Sequence, residues 1–348
     1  MTSVLNNIAA NTALLNLQNT VQNLQNTQQQ ISTGLKIGSA ADNAAYFSIS
    51  TVLKSDSSAL SAVSDTLNLG ASALGVATNA LAKIQTTLSD IKNQLIAATT
   101  PGVDRVKIQA QITQDQAQLK SISDSANFNG QNFLSTDSGV ANYNSTKSFV
   151  SSFSRDASGN ITVGTIAVNV ANTALFDPNS TPASSGIATD TGTGVSAGIF
   201  DKLDTTTQGT YTDATGTVTT VTVAAAGVSI AGKDTATGTS TAIDIHTLTD
   251  SANDQAMLNA YSKMVDAAIG SVAAAASTIG TAQARITQQA SFVTSLQTSI
   301  NDGVGNLVNA DLNAASTRLQ ALQVQQQLGV QSLSIANQST QMVLKLFQ

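Results

Sequence analysis

The sequence predicts a mainly α-helical protein with a β-rich insert: an antiparallel coiled-coil bundle drawn from both chain termini, with an outer domain inserted in the middle. Three observations predict it. Two ladders of large apolar residues repeat every seven positions, far apart in the chain. The segment between them changes to Gly, Ser and Thr. Both chain ends repeat the apolar spacing of three and four while carrying almost no charge.

The first ladder is Leu53, Leu60, Leu67, Leu74, Leu81, Leu88 and Leu95. Ile49, Val63, Ala77, Ile84, Ile91 and Ala98 occupy the alternate positions, and Asp56 and Gly70 interrupt them. A strict seven-residue step means a straight seam along one supercoiling helix. The spacing predicts a helix from about Ala44 to Ala98, roughly 80 Å long at about 1.5 Å per residue. Asp42 suits its N-cap, and Thr99-Thr100-Pro101-Gly102 ends it. A shorter helix is expected over Arg105–Ile122, with Ile108, Ile112, Leu119 and Ile122 on one face. The second ladder is Leu258, Val265, Val272, Ile279, Ile286, Val293, Ile300 and Leu307. Tyr261, Ala268, Ala275, Ala282 and Leu296 supply its alternate positions, and the two ladders are expected to pair in one antiparallel bundle.

The chain ends follow more weakly. Leu14, Leu17, Val21, Leu24, Ile31 and Leu35 alternate by threes and fours, with Gln28 as the gap. Leu312, Ala315, Leu319, Leu322, Leu333, Ala336, Val343 and Phe347 hold one register near the finish, and Leu328, Ile335 and Met342 add a second stripe. Each terminal register is out of phase with its neighbouring ladder. The slips fall at Gly34–Asp42 and Gly303–Asn309, which makes Gly303 and Gly305 a candidate hinge.

The region from about Thr136 to Leu248 holds 12 of the 23 glycines and long Ser/Thr tracts. Alternating stretches at Val218–Val223 and Val228–Ile230 predict short strands between turns.

Composition sets the surroundings. Charged residues are only 10% and aromatics 4%, with no Trp or Cys. The net charge of −6 argues against a surface that tracks phosphates, so nucleic acid is not an expected partner. No basic, apolar secretory leader is visible at the N-terminus, and no apolar run approaches the roughly 20 residues of a bilayer span, so no membrane partner is expected. From Leu319 to Leu344 there is no Asp, Glu, Lys, Arg or His. A helix in water normally carries charge on its outer face. Gln and Asn, in contrast, can hydrogen-bond across protein contacts without the desolvation cost of a buried ion. The segment therefore reads as one surrounded by other protein, most simply by more copies of the same chain.

The residues also carry a family resemblance. QQISTGLKIGSAADNAAYFSIS, Gln29 to Ser50, resembles the N-terminal signature of bacterial flagellins. ANFNGQNFLS, Ala126 to Ser135, is similar to the turn after the short third flagellin helix, and LGVQSLSIANQS, within Thr317–Phe347, resembles the C-terminal signature, most like the α-proteobacterial branch. The resemblance covers about residues 1–137 and 250–348. It implies a structural subunit that self-assembles into the extracellular flagellar filament for motility, after unfolded export by the type III apparatus. Residues 1–40 and 301–348 would be the inner filament core, 41–136 and 249–300 the outer core rod, and 137–248 a variable surface-exposed domain. It further implies a flagellar cap, hook-junction proteins and an export chaperone as partners. The runner-up within the family is a hook–filament junction protein. Where plant-recognised flagellins carry charged or small residues, this chain has Ala41, Asn43 and Tyr46, and where the animal Toll-like receptor meets arginines it has Thr87 and Ser89. Weak recognition by both innate immune receptors is expected.

Catalytic chemistry is not expected, nor any cofactor or metal. The single His, His246, has no nucleophile beside it in sequence, and acidic residues are dispersed. The GTGVSAG run at Gly192–Gly198 lacks the spacing and Lys of a phosphate loop.

Overall fold

A computed structural model describes residues 7–138, 140, 143–156, 158–177, 199–200, 208–212, 217–222, 228–229 and 241–346. Five α-helices carry most of it: α1 (Ile8–Thr33), α2 (Ala44–Ala98), α3 (Arg105–Ser125), α4 (Ala252–Val308) and α5 (Leu312–Leu346). Between α3 and α4 lie the short strands β1 (Asn127–Phe128) and β2 (Gln131–Asn132), then β3 (Thr146–Arg155) and β4 (Ile161–Asn169). A 3-10 turn (Val170–Asn172) precedes β5 (Gln208–Thr212), β6 (Val218–Thr222), β7 (Val228–Ser229) and β8 (Thr241–Ala242). The chain divides into two compact units, one of residues 1–61 and 295–348, the other of residues 62–294. The GTGVSAG run lies outside the described residues.

In the second unit the ladders become a core. Leu67, Leu74, Leu88, Leu95, Leu258, Val265, Ile279 and Ile286 are fully buried, and Leu81, Val272 and Val293 are within 1% of it. The alternate positions Ala77, Ile84, Ile91 and Ala98 are also fully buried. Antiparallel register is fixed by cross-helix contacts. Lys92 pairs with Asp266 at 2.6 Å, and Thr78 reaches Gln283 at 3.5 Å. Helix α3 covers the α2 end of this pair: Ile112 and Leu119 are fully buried, and Gln94 donates to Asp115 at 2.7 Å. By length and composition alone α4 is the one described helix apolar enough to cross a membrane. Alanine raises its average, while polar residues, Lys263 and Asp266 among them, keep its apolar runs short.

Gly70, the interruption in the first ladder, is a socket. The Phe149 ring of β3 lies against it, so close that an added Cβ would sit 2.7 Å from Cδ1. Phe149 also stacks on the buried Phe133 at 6.2 Å. A single missing side chain in the seam thus lets the antiparallel β3–β4 hairpin press onto α2. The turn expected within Ala126–Ser135 is the β1–β2 hairpin, at whose tip Asn129 and Gly130 take positive φ, 51° and 76°. Asn132 then ties that hairpin to α3, donating to the Ser123 carbonyl at 2.8 Å.

Two capping details differ from expectation. The N-cap of α2 is Asn43, whose Oδ1 accepts from the backbone of Ala45 and Tyr46. Asp42 instead closes the preceding turn, accepting from the Gly38 and Ser39 amides. Those hydrogen bonds hold its carboxyl below the ordinary value of 3.8. Helix α3 also runs three residues past its expected end at Ile122, to Ser125, and is capped by Asp104.

Candidate self-assembly surface

The first unit is built from the chain ends. Helices α1 and α5 pair antiparallel: Asn7 Nδ2 donates to the Ala336 carbonyl at 3.0 Å, and Leu17 packs over Gly329. At the other end the chain forms a short backbone tie. Lys36 N donates to the Val308 carbonyl at 2.7 Å and Ala310 N to the Gly34 carbonyl at 2.9 Å. Gly34 takes φ +70°, a left-handed conformation that ends α1. Ile37, Val304 and Val308 form a small buried cluster there, with Leu35, Phe47, Leu53, Ile300 and Leu307 packed against it.

Burial along this pair is thin. In the 26 residues of α1 only Thr27 is buried, whereas five residues are buried in the 21 of α3. Leu17, Val21, Leu24 and Ile31 are half-buried, and Leu14 is 41% exposed. On α5 Leu322 and Ala315 are buried, and Leu319, Leu333 and Ala336 half-buried. The second stripe stands out: Leu328 is 60% and Ile335 63% exposed. Val324, four residues before Leu328, is exposed on the same face. On α1, Ile8 and Leu15 are exposed seven residues apart. Each such side chain left in water forgoes about 1.5–3 kcal/mol of burial. With no charge from Leu319 to Leu344, this surface is apolar and amide-lined, the chemistry of a contact with protein.

Other predicted residues fall as follows. Leu60 is buried, while Leu53 and Ile300 are half-buried against the Ile37 cluster. Ile49, expected in the seam, is 49% exposed, and Tyr46 and Val52 flank it in the open. Leu312 is likewise exposed, because it begins α5 after the tie. Gly303 and Gly305 lie inside α4, and the helix breaks after Val308, at residues 309–311. Met342 and Val343 are within α5; their side chains, and Phe347 altogether, lie outside the described residues. Sequence reasoning missed Val324, Ile8 and Leu15 as part of the exposed surface. The four-residue step from Val324 to Leu328 and the seven-residue step from Ile8 to Leu15 were the available signals.

Nothing resembling a reaction centre gathers among the described residues. His246 Nδ1 lies 2.6 Å from Asp244 Oδ1, both exposed. A wide-open concavity of about 650 Å³ is lined by Gly280, Gln283, Ala284, Thr287, Gln288 and Ser291. These come from one face of α4 and include no titratable group.

Comparison with known proteins supplies the family. The model of the bacterial flagellin N-terminal helical region matches residues 4–138, and that of the bacterial flagellin C-terminal helical region matches residues 262–347. Flagellin C of Rhizobium meliloti (strain 1021) is 40% identical over 350 positions, covering 100% of both chains. Flagellin A of Rhizobium meliloti is 39% identical over 399 positions, and a flagellin of Brucella melitensis 38% over 349, each with 100% of both chains covered. The 399-position alignment is longer than this chain, so that relative carries additional residues. A solved structure of FliC from Burkholderia pseudomallei, 20% identical, covers 62% of this chain and 99% of its own with a TM-score of 0.32.

Proposed function

The chain belongs to the bacterial flagellin family, and on that premise we propose that the exposed stripe of its terminal helices is the surface through which copies pack into a filament. The protein is a structural subunit of the bacterial flagellar filament. One observation carries the assignment of the surface: Leu328 and Ile335 stand in the open on a helix without charge. A monomer that leaves these residues wet gains their burial only when neighbours arrive. Helices α1 and α5, through Leu14, Leu17, Val21, Leu24, Ile31, Leu319, Leu322, Leu328, Leu333 and Ile335, would form the inner core. Residues 41–136 and 249–300 would form the outer core, and 137–248 the variable surface region.

The experiment is seeded growth. Purified monomer added to filament seeds is expected to elongate them to micrometre length in electron micrographs. Growth that stops after a few added subunits would favour a hook–filament junction protein instead; the relatives named above are all flagellins.

The finer partners follow from family membership. The protein would leave the cell unfolded through the flagellar type III apparatus, assisted by an export chaperone, and would assemble between hook-junction proteins and a distal cap. Secretion is expected to stop in a strain lacking that apparatus. Weak immune recognition rests on Ala41, Asn43 and Tyr46 in one receptor-binding segment and Thr87 and Ser89 in the other. Thr87 is nearly buried in α2 and offers little to a receptor. Full seedling or reporter-cell responses at nanomolar monomer would refute that reading.

A further inference from the structure

The chain returns from the β-rich insert to α4 along one face of α3, and that crossing is held in an unusual way. Ile243 and Ile245 are fully buried, two residues apart, while Asp244 and His246 between and after them are exposed. Helix α3 grips the crossing backbone with three side chains. Gln109 Nε2 and Gln116 Nε2 both donate to the Ile243 carbonyl, at 3.2 and 3.3 Å. Gln109 Oε1 accepts from Ile245 N at 2.9 Å. Arg105, only 7% exposed, supplies the third grip.

The Arg105 guanidinium joins three segments at once. Nε donates to the Ala98 carbonyl at the end of α2 at 3.0 Å, Nη1 to the Leu248 carbonyl at 3.4 Å, and Nη2 to Asp250 Oδ1 at 2.6 Å. The other Asp250 oxygen accepts from Gly102 N at 3.2 Å. Among the described residues Asp250 is the one carboxylate bonded to this buried cation. A buried charge that loses its partner is expensive to keep buried. The remaining carbonyl acceptors, Ala98 and Leu248, are dipoles rather than charges. At 3.4 Å the bond to Leu248 is the longest of the three, so it holds least once the pair is broken.

We propose that residues 243–250 are an acid-released strap: they detach from α3 as a local unit when Asp250 loses its charge, while the helices beneath stay folded. The neighbouring charged groups make their hydrogen bonds and ion pairs elsewhere, although Asp254 also feels the Arg105 charge. Asp104 pairs with Lys107 at the start of α3, Asp254 of α4 accepts from Thr249, and Asp244 pairs with His246 on the strap itself. Tyr261 of α4 has its hydroxyl pushed up by burial and, less, by Asp244, so it stays neutral in acid.

The pH window follows from the sign of the shift. The hydrogen bond from Arg105 holds the Asp250 carboxyl below its ordinary value of 3.8. Its stabilising contribution is present above that value and is lost as pH falls through the lower folded one. Asp254 is shifted the same way: burial opposes the shift, and its hydrogen bonds with Thr249 and Ser251 outweigh burial.

Hydrogen exchange of the dilute full-length protein, corrected for intrinsic rates, tests this. At about pH 3 the Ile245 and Leu248 amides are expected to open roughly tenfold more often than at pH 7, while α2 amides from Leu81 to Leu95 keep their protection. Asp250→Asn is expected to show the opened strap already at pH 7 and to lose most of the pH response. Asp250→Glu restores the closed strap, His246→Gln keeps the acid response, and Asp254→Asn, which removes a second and weaker acid-sensitive hold at Thr249, keeps most of it. Wild-type strap protection in Asp250→Asn would overturn the proposal. So would α2 amides opening together with the strap, or an acid response abolished by His246→Gln.

Discussion

The α2–α4 seam of residues 62–294 and the α1–α5 pair of the chain ends are written with the same spacing and fold to different degrees of burial. Leu67, Leu74, Leu88 and Leu95 are fully buried; Leu14 is 41%, Leu328 60% and Ile335 63% exposed. Apolar residues at threes and fours say that a helix has a partner. They do not say that the partner is in the same chain. The charge does. Outer faces of α2 and α4 carry Asp65, Lys83, Asp90 and Arg285, all exposed, and so are made for water. The face of α5 that carries Leu328 and Ile335 has no charge between Leu319 and Leu344, as the proposed contact with a neighbour requires.

The largest effect should come from removing one side of the comparison. Deleting Leu319–Gln348 is expected to abolish seeded polymerisation while circular dichroism still reports the helices of residues 44–300. Filaments from the truncated protein would mean that assembly uses another surface. A finer cut exchanges single leucines. Leu88→Ala empties a fully buried site and should cost about 2–5 kcal/mol in urea unfolding of the monomer. Leu328→Ala removes an exposed side chain and should change monomer stability by less than about 0.5 kcal/mol. It should nevertheless raise the monomer concentration needed for growth. Equal effects on both measurements would erase the distinction between the two regions.

How much of this was legible in the sequence follows the same division. The first ladder placed α2 at its observed ends and the second, from Leu258 to Leu307, ran through α4, because a seam repeated over many heptads leaves one register that buries it. Ile49 failed for an intelligible reason. It holds a seam position by count, but in residues 44–53 the chain packs Phe47 and Leu53 on the Ile37 cluster, which turns Ile49 outward. Asp42 and Asn43 are both good caps, and only the geometry of the Gly38–Asp42 turn chooses between them. The Arg105 grip was invisible: its partners Ala98, Leu248 and Asp250 are backbone and a distant carboxylate, and no local pattern announces them. Gly70 was visible only as a fault in the ladder. Its meaning depends on Phe149, which arrives from 79 positions downstream.

That socket gives a smaller prediction. Gly70→Ala would place a methyl 2.7 Å from the Phe149 ring. Overpacking of this kind costs about 1–3 kcal/mol, offset in part by the better helix propensity of Ala. Thermal unfolding should therefore shift down modestly, and Phe149→Leu in the same chain should recover part of the loss. An unchanged midpoint in Gly70→Ala would mean that the hairpin slides off α2 without consequence.

The smallest effects concern the candidate hinge. Gly303 has open space where a Cβ would go, and at Gly305 an added Cβ meets only the flexible end of Asn309, at 3.0 Å. Either residue can become Ala without a clash against backbone, and each change should stabilise α4 by up to about 1 kcal/mol. If these glycines act as a hinge within the assembled filament, the double Ala variant should polymerise normally but swim with an altered waveform. The competing location is the interruption at residues 309–311, where α4 has already ended and the Lys36–Val308 and Gly34–Ala310 backbone bonds hold the chain. Those bonds would survive the double substitution. An unchanged waveform would thus move the hinge six residues along, from a helix that tolerates glycine to a break that needs none.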